Sequence, residues 1–170
     1  MSDSGAGEYE FDALGRLAFE LTLLSRHYTG ATPRRAGHQL ERSAFLILTR
    51  LELEHALSLR ELAEAFRLDI STLNRQVAAM SRQQLVVRVP DPDGGVARKV
   101  QASAKGLALL AADRALGREG LRSVVSEWSE PDLAQLGALI SRFNRDIEAR
   151  EENPWPRPAA ESIAEAGPRP

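Results

Sequence analysis

The nine prolines of this chain mark where long helices are allowed. Five of them fall in the last 17 residues. The others are Pro33, Pro90, Pro92 and Pro131. Because proline interrupts a helix interior, the proline-free stretches 34–89 and 93–130 allow long helices. The chain of 170 residues suits one compact domain. We expect a flexible N-terminus over 1–9, a domain over 10–150 and a disordered proline-rich tail over 151–170.

The composition excludes several classes of protein. A content of 43% hydrophobic and 27% charged residues is ordinary for a soluble globular domain and excludes wholesale disorder. The absence of cysteine excludes a zinc-thiolate site, a thiol nucleophile and a disulfide scaffold. The start of the chain lacks the pattern of a secretion signal, and no apolar run approaches the roughly 20 residues that span a bilayer. The sequence therefore predicts a cytoplasmic protein with no membrane partner.

An enzymatic role is not supported by any motif in the sequence. The three histidines, His27, His38 and His55, lack the spacings of a metal site. The chain contains no GxSxG motif, no phosphate-binding loop and no GxGxxG after a strand. We therefore expect no enzyme activity, no metal and no cofactor.

The terminal segments carry long amphipathic helix patterns. Apolar residues alternate at spacings of three and four over about 10–28 and again along the second part of 104–150. The second pattern starts at Ser129, a good N-cap, and continues through Leu133, Leu136, Ile140, Phe143 and Ile147. Matching patterns of this kind favour helices that intertwine between two subunits. The alternative is packing of both termini within one chain.

Two short helices are predicted at the centre of the chain. Ser58 and Glu61 fit a capping box, in which each side chain accepts the backbone N–H of the other residue. The helix pattern halts near Arg67, and Asp69 is a suitable N-cap for a second helix over about 70–84. Two short helices joined by about three residues predict a helix-turn-helix.

The second of these helices has an outward face suited to a DNA major groove. Leu73, Val77 and Met80 form its inward face. The opposite side and its flanks carry small and polar residues, namely Ser71, Thr72, Asn74, Arg75, Ala78, Ala79 and Arg82. Hydroxyl, amide and guanidinium groups bond base edges or phosphates, and alanines allow close approach. A merely solvated helix face is the alternative.

A hairpin follows the second helix and strengthens this interpretation. Strand-like runs over 85–89 and 96–101 flank a turn rich in proline, aspartate and glycine. Residues 58–106 carry a net charge of +3, whereas the rest of the chain carries −5. A hairpin in this place is a wing, whose basic residues Arg98 and Lys99 contact DNA phosphates or enter the minor groove. The sequence therefore predicts a mainly α fold with a winged helix-turn-helix over about 40–103 and a lobe of terminal helices.

The chain resembles the MarR (multiple antibiotic resistance regulator) family over about residues 10–150. The resemblance is most specific in LSLRELAEAFRLDISTLNRQVAAMSRQQLVVRVPDPDGG and in the SAKG that closes the wing. It implies a homodimer formed through helices at about 10–28 and 104–150, with the second short helix of each subunit in the major groove. It also implies that Ser71, Thr72, Asn74 and Arg75 read bases or contact phosphates and that Ser58 anchors a phosphate.

The sequence departs from the family pattern at three positions. Gly95 and Val96 stand where family wings usually place an arginine, so Arg98 and Lys99 either replace it in the minor groove or contact phosphates only. Gln84 stands where a glycine commonly ends the second helix, and we expect strain or a different helix ending there. Ala102 and Ser103 replace a usual leucine and threonine, and Ser103 can still cap the next helix.

The resemblance further implies release from DNA by a small aromatic or phenolic anion. The candidate residues form an aromatic and basic cluster: His27, Tyr28, Arg34, Arg35 and His38. Arginines can pair with a carboxylate or phenolate, although a solvated basic loop near DNA phosphates fits equally well. We expect a homodimeric DNA-binding regulator, acting as a repressor on a pseudo-palindromic operator in double-stranded DNA. The alternative is a winged-helix module that no longer binds DNA and contacts another protein.

Overall fold

The computed structural model describes residues 12–29, 37–91, 94–95 and 98–158 of the protein. These residues fall into two compact units, with the division between residues 36 and 37. The expected flexible N-terminus over 1–9 lies outside the described residues.

In its described residues, 12–29, the first unit has one helix, α1 (Ala13–Thr29). The Asp12 carboxylate accepts the backbone N–H of Gly15 at 2.7 Å, which satisfies one of the free donors at the helix start. Apolar side chains, among them Leu14, Leu17 and Leu24, are exposed along α1. The helix begins three residues after the predicted start at 10 and ends within one residue of the predicted end.

The second unit contains five further helices and three strands among its described residues. In chain order they are α2 (Arg42–Glu54), β1 (Ala56–Leu57), α3 (Leu59–Phe66), α4 (Ile70–Arg82), β2 (Val86–Val89), β3 (Lys99–Ala102), α5 (Ala104–Val124) and α6 (Glu130–Glu151). Ser103 and Ser129 cap α5 and α6, since their hydroxyls accept the N–H groups of Gly106 and Asp132. These two caps confirm the predicted helix starts.

The three strands form one small antiparallel sheet in the order β1-β3-β2. Gln101 of β3 lies opposite Ala56 of β1 on one side and Val87 of β2 on the other. The β2–β3 pair is the predicted wing. The sequence did not predict β1, because a strand of two residues is too short to show an alternating pattern.

The core lies among α2, α3, α4, α5 and the sheet. Its members are the buried apolar residues of these elements: Leu40, Ala44, Ile47, Leu48, Leu51, Leu62, Ala63, Leu73, Val77, Met80, Leu85, Val86, Val100 and Leu110. Leu73, Val77 and Met80 all come from the predicted inward face of α4. The mainly α winged helix-turn-helix predicted from the sequence is confirmed.

Helix α6 differs from the other helices of this unit because it buries none of its residues. Its predicted apolar positions, Leu133, Leu136, Ile140, Phe143 and Ile147, are each 38–45% exposed. Within the described residues, no helix combines the length and the hydropathy needed to cross a bilayer.

The expectation of a disordered tail from residue 151 is not met at its start. The helix continues to Glu151, and residues 153–157 lie against α2, α3 and α6 through several side-chain contacts. A proline-rich composition predicts that a segment has no core of its own, but such a segment can still pack against another core. Residues 159–170 lie outside the described residues.

Candidate nucleic-acid interface

The turn between α3 and α4 fixes the direction in which α4 leaves the core. Arg67 follows α3 in the left-handed conformation, with φ of 50°. Its N–H and that of Leu68 donate to Glu64 and Ala63 at 3.2 and 3.0 Å, which is a Schellman ending. Asp69 then occupies the N-cap position of α4 as predicted, although its side chain makes no capping hydrogen bond.

The start of α3 is held by the predicted capping box. The Ser58 hydroxyl accepts the Glu61 N–H at 3.1 Å, and a Glu61 carboxylate oxygen accepts the Ser58 N–H at 2.6 Å. The backbone hydrogen bond from Ser58, reinforced by the hydroxyl, lowers the pKa of Glu61. The Ser58 hydroxyl thus contributes to the cap as an acceptor and to the stability of the Glu61 carboxylate, and its contact with a phosphate stays a prediction.

The outward face of α4 carries the predicted polar side chains. Ser71, Asn74, Arg75 and Arg82 are exposed, and Thr72 is half-buried. A guanidinium nitrogen of Arg75 donates to the Thr72 hydroxyl at 3.1 Å, so the helix itself orients this arginine. Donors and acceptors of this kind lie on the side of the helix opposite the core, where a duplex can reach them.

At the C-terminal end of α4, Gln84 occupies the position where a glycine is usual. Gln84 adopts φ of 60°, and its N–H and that of Leu85 donate to Ser81 and Met80 at 2.9 Å each. The Ser103 hydroxyl donates to the Gln84 carbonyl at 2.6 Å, and the Lys105 ammonium donates to the Gln83 carbonyl at 3.0 Å. The expected left-handed strain is therefore present and is held by hydrogen bonds from the start of α5.

The turn end of the wing contains an ion pair that changes the role expected of Lys99. Its ammonium lies 3.0 Å from the Asp91 carboxylate, and the two side chains are 12% and 14% exposed. Gly95 packs against the same carboxylate, since a Cβ there would lie 2.2 Å from an Asp91 oxygen. Lys99 was predicted to contact DNA, but its charge is engaged inside the wing.

Two arginines of the wing, Arg88 and Arg98, are exposed. Arg98 lies just before β3, and its contact with a DNA phosphate stays a prediction. Arg88 lies on β2 and is also exposed, although it was not among the residues predicted to contact DNA. Strand alternation gave no signal for it, because that pattern places Arg88 on the same face as the buried Val86. Val96 and Ala97 lie outside the described residues.

The candidate effector residues are only partly described. His27 is exposed in the last turn of α1, and Tyr28 belongs to the same turn. His38 is half-buried before α2, in the second unit. Arg34 and Arg35 lie outside the described residues. In the described part of the chain, no three histidine or acidic side chains are grouped as metal ligands.

Comparison with known proteins gives a consistent result. The family model described as MarR family matches residues 40–94. YxaD, an uncharacterized HTH-type transcriptional regulator of Bacillus subtilis (strain 168), is 36% identical over 131 residues, which cover 76% of this chain and 91% of the relative.

Two solved structures share the fold. Wild-type MarR from E. coli in its apo form gives a TM-score of 0.60 at 18% identity, over 79% of this chain and 98% of that one. The organohalide-sensing regulator RdhR-CbdbA1625 in its 2,4-dichlorophenol-bound form gives a TM-score of 0.60 at 14% identity, over 86% of this chain and 89% of that one. The exposed polar helix, the wing and the identity to YxaD together show that the chain belongs to the MarR family of transcriptional regulators, which are not enzymes.

Proposed function

We propose that this protein is a homodimeric repressor that binds a pseudo-palindromic operator in double-stranded DNA. The observation that carries the proposal is the outward face of α4, where Ser71, Asn74 and Arg75 are exposed above a buried inner face. A helix with these side chains can enter the major groove. DNA as the partner also implies the expected cytoplasmic location.

The homodimer is supported by the apolar surface of α6. Five large apolar residues of one face of this helix are 38–45% exposed, which is unusual for a surface helix that works alone. A second copy of the chain would cover such a face with a self-complementary one. Each half-site of the operator would then lie about one helical turn, roughly 34–36 Å, from the other.

A small effector is the second part of the proposal. The arginines and aromatic residues selected from the sequence, between His27 and His38, can pair with a phenolate or carboxylate. The structurally similar RdhR-CbdbA1625 was solved with 2,4-dichlorophenol bound. A chlorinated phenol and an aromatic carboxylate such as salicylate are therefore suitable probes. Either probe should reduce operator binding at a fixed protein concentration if the effector site exists.

The experiment that tests the proposal is selection of bound fragments from random duplex DNA with the purified protein, followed by footprinting and a salt titration. We expect an inverted repeat and an affinity that falls steeply as salt rises, because phosphate contacts release counterions. Failure to enrich any duplex at low ionic strength would overturn the proposal. It would favour a winged-helix module that contacts another protein.

Repression is tested separately from binding. A reporter gene placed downstream of the selected operator should be expressed less when the protein is present. Equal or higher expression would refute the repressor assignment while leaving operator binding intact.

A further inference from the structure

The residues that follow α6 form a joint with the DNA-binding lobe. We name residues 151–157 the C-terminal joint. They contact the end of α3, which lies about one helical turn before α4 in the chain, and they also contact α2. They thereby connect the last turn of α6 to both helices. The proposed DNA contacts do not use any of these residues.

Trp155 is the apolar anchor of the C-terminal joint. Its ring meets that of Phe66 edge-on, with centroids 5.4 Å apart and planes at 80°. The guanidinium carbon of Arg50 lies 5.0 Å from the Trp155 ring centroid. Edge-to-face aromatic pairs and cation–π contacts are both attractive beyond simple burial. Trp155 thus contacts α2 and α3 at once and is half-buried by them.

The ends of α3 and α6 also satisfy each other's backbone. Arg67, at the end of α3, donates from its guanidinium to the Glu151 carbonyl, and its charge lies 3.7 Å from the Glu151 carboxylate. Asn153, just after α6, donates from its amide to the Ala65 carbonyl at 2.9 Å. The last carbonyls of a helix have no partner within the helix. Each helix therefore supplies a donor to the other, which fixes both the distance and the angle between their ends.

Two features hold the C-terminal joint in the shape that presents Trp155. Glu152 adopts the left-handed conformation, with φ of 51°, and the chain turns there. Arg157 then forms a two-pronged ion pair with Glu148, at 2.7 and 2.8 Å. The backbone N–H of Trp155 donates to the same carboxylate at 3.3 Å. The segment is folded back on α6, so it is a built structure rather than a trailing end.

We propose that the C-terminal joint sets the position of α4 relative to α6, and that Trp155 is a positioning residue for the spacing of the two DNA half-sites. The inference rests on the proposed function. Helix α6 buries no residue, so the joint ties an otherwise exposed helix to the lobe that carries α4. In a dimer built through α6, the geometry of the joint decides where each α4 lies.

The test compares Trp155→Ala with the native chain on a series of operators whose half-site spacing differs by one base pair. The native protein should prefer one spacing. We expect Trp155→Ala to reduce the preference for that spacing over its neighbours by roughly threefold or more, given the strength of the lost ring contacts. Trp155→Phe retains an edge-on ring and should restore most of the preference. Asn153→Ala loosens the same joint from the α3 side and should shift the preference in the same direction.

A readout without DNA shows whether the C-terminal joint is docked. The only other tryptophan of the sequence is Trp128, which is exposed shortly after α5. In a Trp128→Phe chain, tryptophan fluorescence therefore comes from Trp155 alone. We expect acrylamide to quench the docked Trp155 weakly, and to quench it more strongly after Asn153→Ala. Thermal unfolding of each variant checks that the fold is retained.

The outcomes separate the inference from the proposed function. If Trp155→Ala weakens binding equally at every spacing, or changes nothing, the positioning role is refuted while DNA binding stands. If Trp155 is fully quenched in the native chain, the joint is not docked and the inference fails. If the native chain binds no duplex, the proposed function fails and the positioning role falls with it.

Discussion

The ammonium of Lys99 and the carboxylate of Asp91 form a mostly buried ion pair at the turn end of the wing, at a distance of 3.0 Å. Arg98, which directly precedes Lys99 in the chain, is exposed. Two adjacent basic residues therefore have different roles: one holds the wing together, and the other is available to a phosphate. The same Asp91 carboxylate packs against Gly95, so the pair also shapes the turn.

Arg98→Ala should weaken binding to all duplexes by a similar factor and reduce the slope of log affinity against log salt by about 1, because one phosphate contact is lost. Lys99→Ala is the matched control. It should leave that slope unchanged and lower the midpoint of thermal unfolding, because Asp91 loses its partner. Fluorescence anisotropy of labelled DNA over a salt series measures the slopes. If Lys99→Ala reduces the salt slope and Arg98→Ala leaves it unchanged, Lys99 and not Arg98 contacts the phosphate.

Arg75→Ala should lower affinity for the selected operator by about 1–3 kcal/mol and relax the preference at one base position. The side chain is exposed and oriented by the Thr72 hydroxyl at 3.1 Å. Thr72→Val removes that hydroxyl and should give a smaller loss. Arg122→Ala is the charge-matched control, because Arg122 lies near the end of α5 and pairs with Glu119. Unchanged affinity after Arg75→Ala would remove this residue from the interface.

Gly106→Ala should lower the free energy of unfolding by about 1–3 kcal/mol, the usual effect of overpacking a core. A Cβ at this position would lie 2.2 Å from the Leu85 carbonyl oxygen and 3.0 Å from a Leu48 methyl group. Gly120→Ala, in the same helix, meets nothing within 4 Å and should raise the free energy of unfolding by about 0.5–1 kcal/mol. Urea unfolding measures both. Equal effects from the two variants would contradict the close contact at Leu85.

The features predicted from the sequence are local in the chain. The capping box of Ser58 and Glu61 and the hydroxyl caps at Ser103 and Ser129 involve residues three apart, so each signal lies within a few letters of sequence. The outward face of α4 follows from helix periodicity in the same way. Exposure of its polar residues follows from that periodicity, whereas their contacts with DNA stay a prediction.

The features that the sequence did not predict join distant segments. Asp113 is 1% exposed on α5, where its carboxylate accepts the backbone N–H groups of Gln39 and Leu40. Trp155 contacts Phe66, although the two residues lie far apart in the sequence. The partner of a lone aspartate or tryptophan cannot be predicted from a single sequence, because tertiary packing determines which residues come into contact. For the same reason the engagement of Lys99 by Asp91 was missed.

The ion pair between Glu148 and Arg157 predicts how the C-terminal joint responds to acid. The hydrogen bond from Arg157, helped by the backbone N–H of Trp155, holds the pKa of Glu148 below its usual range, and Arg145 adds a smaller attraction. A carboxyl group whose pKa is lower in the folded joint than in the undocked chain stabilises the joint fully above the undocked pKa of about 4.3. That stabilisation is lost as the pH falls through the lower, docked pKa.

In the Trp128→Phe chain, acrylamide quenching of Trp155 should therefore be constant from neutral pH down to about pH 5 and should rise at lower pH. Glu148→Gln is the control, since an amide keeps the shape of the side chain and cannot titrate. We expect it to raise quenching already at neutral pH and to flatten the acid response. Circular dichroism over the same range separates undocking from general acid unfolding. An identical acid response in both chains, with the helix signal intact, would show that Glu148 does not control docking of the joint.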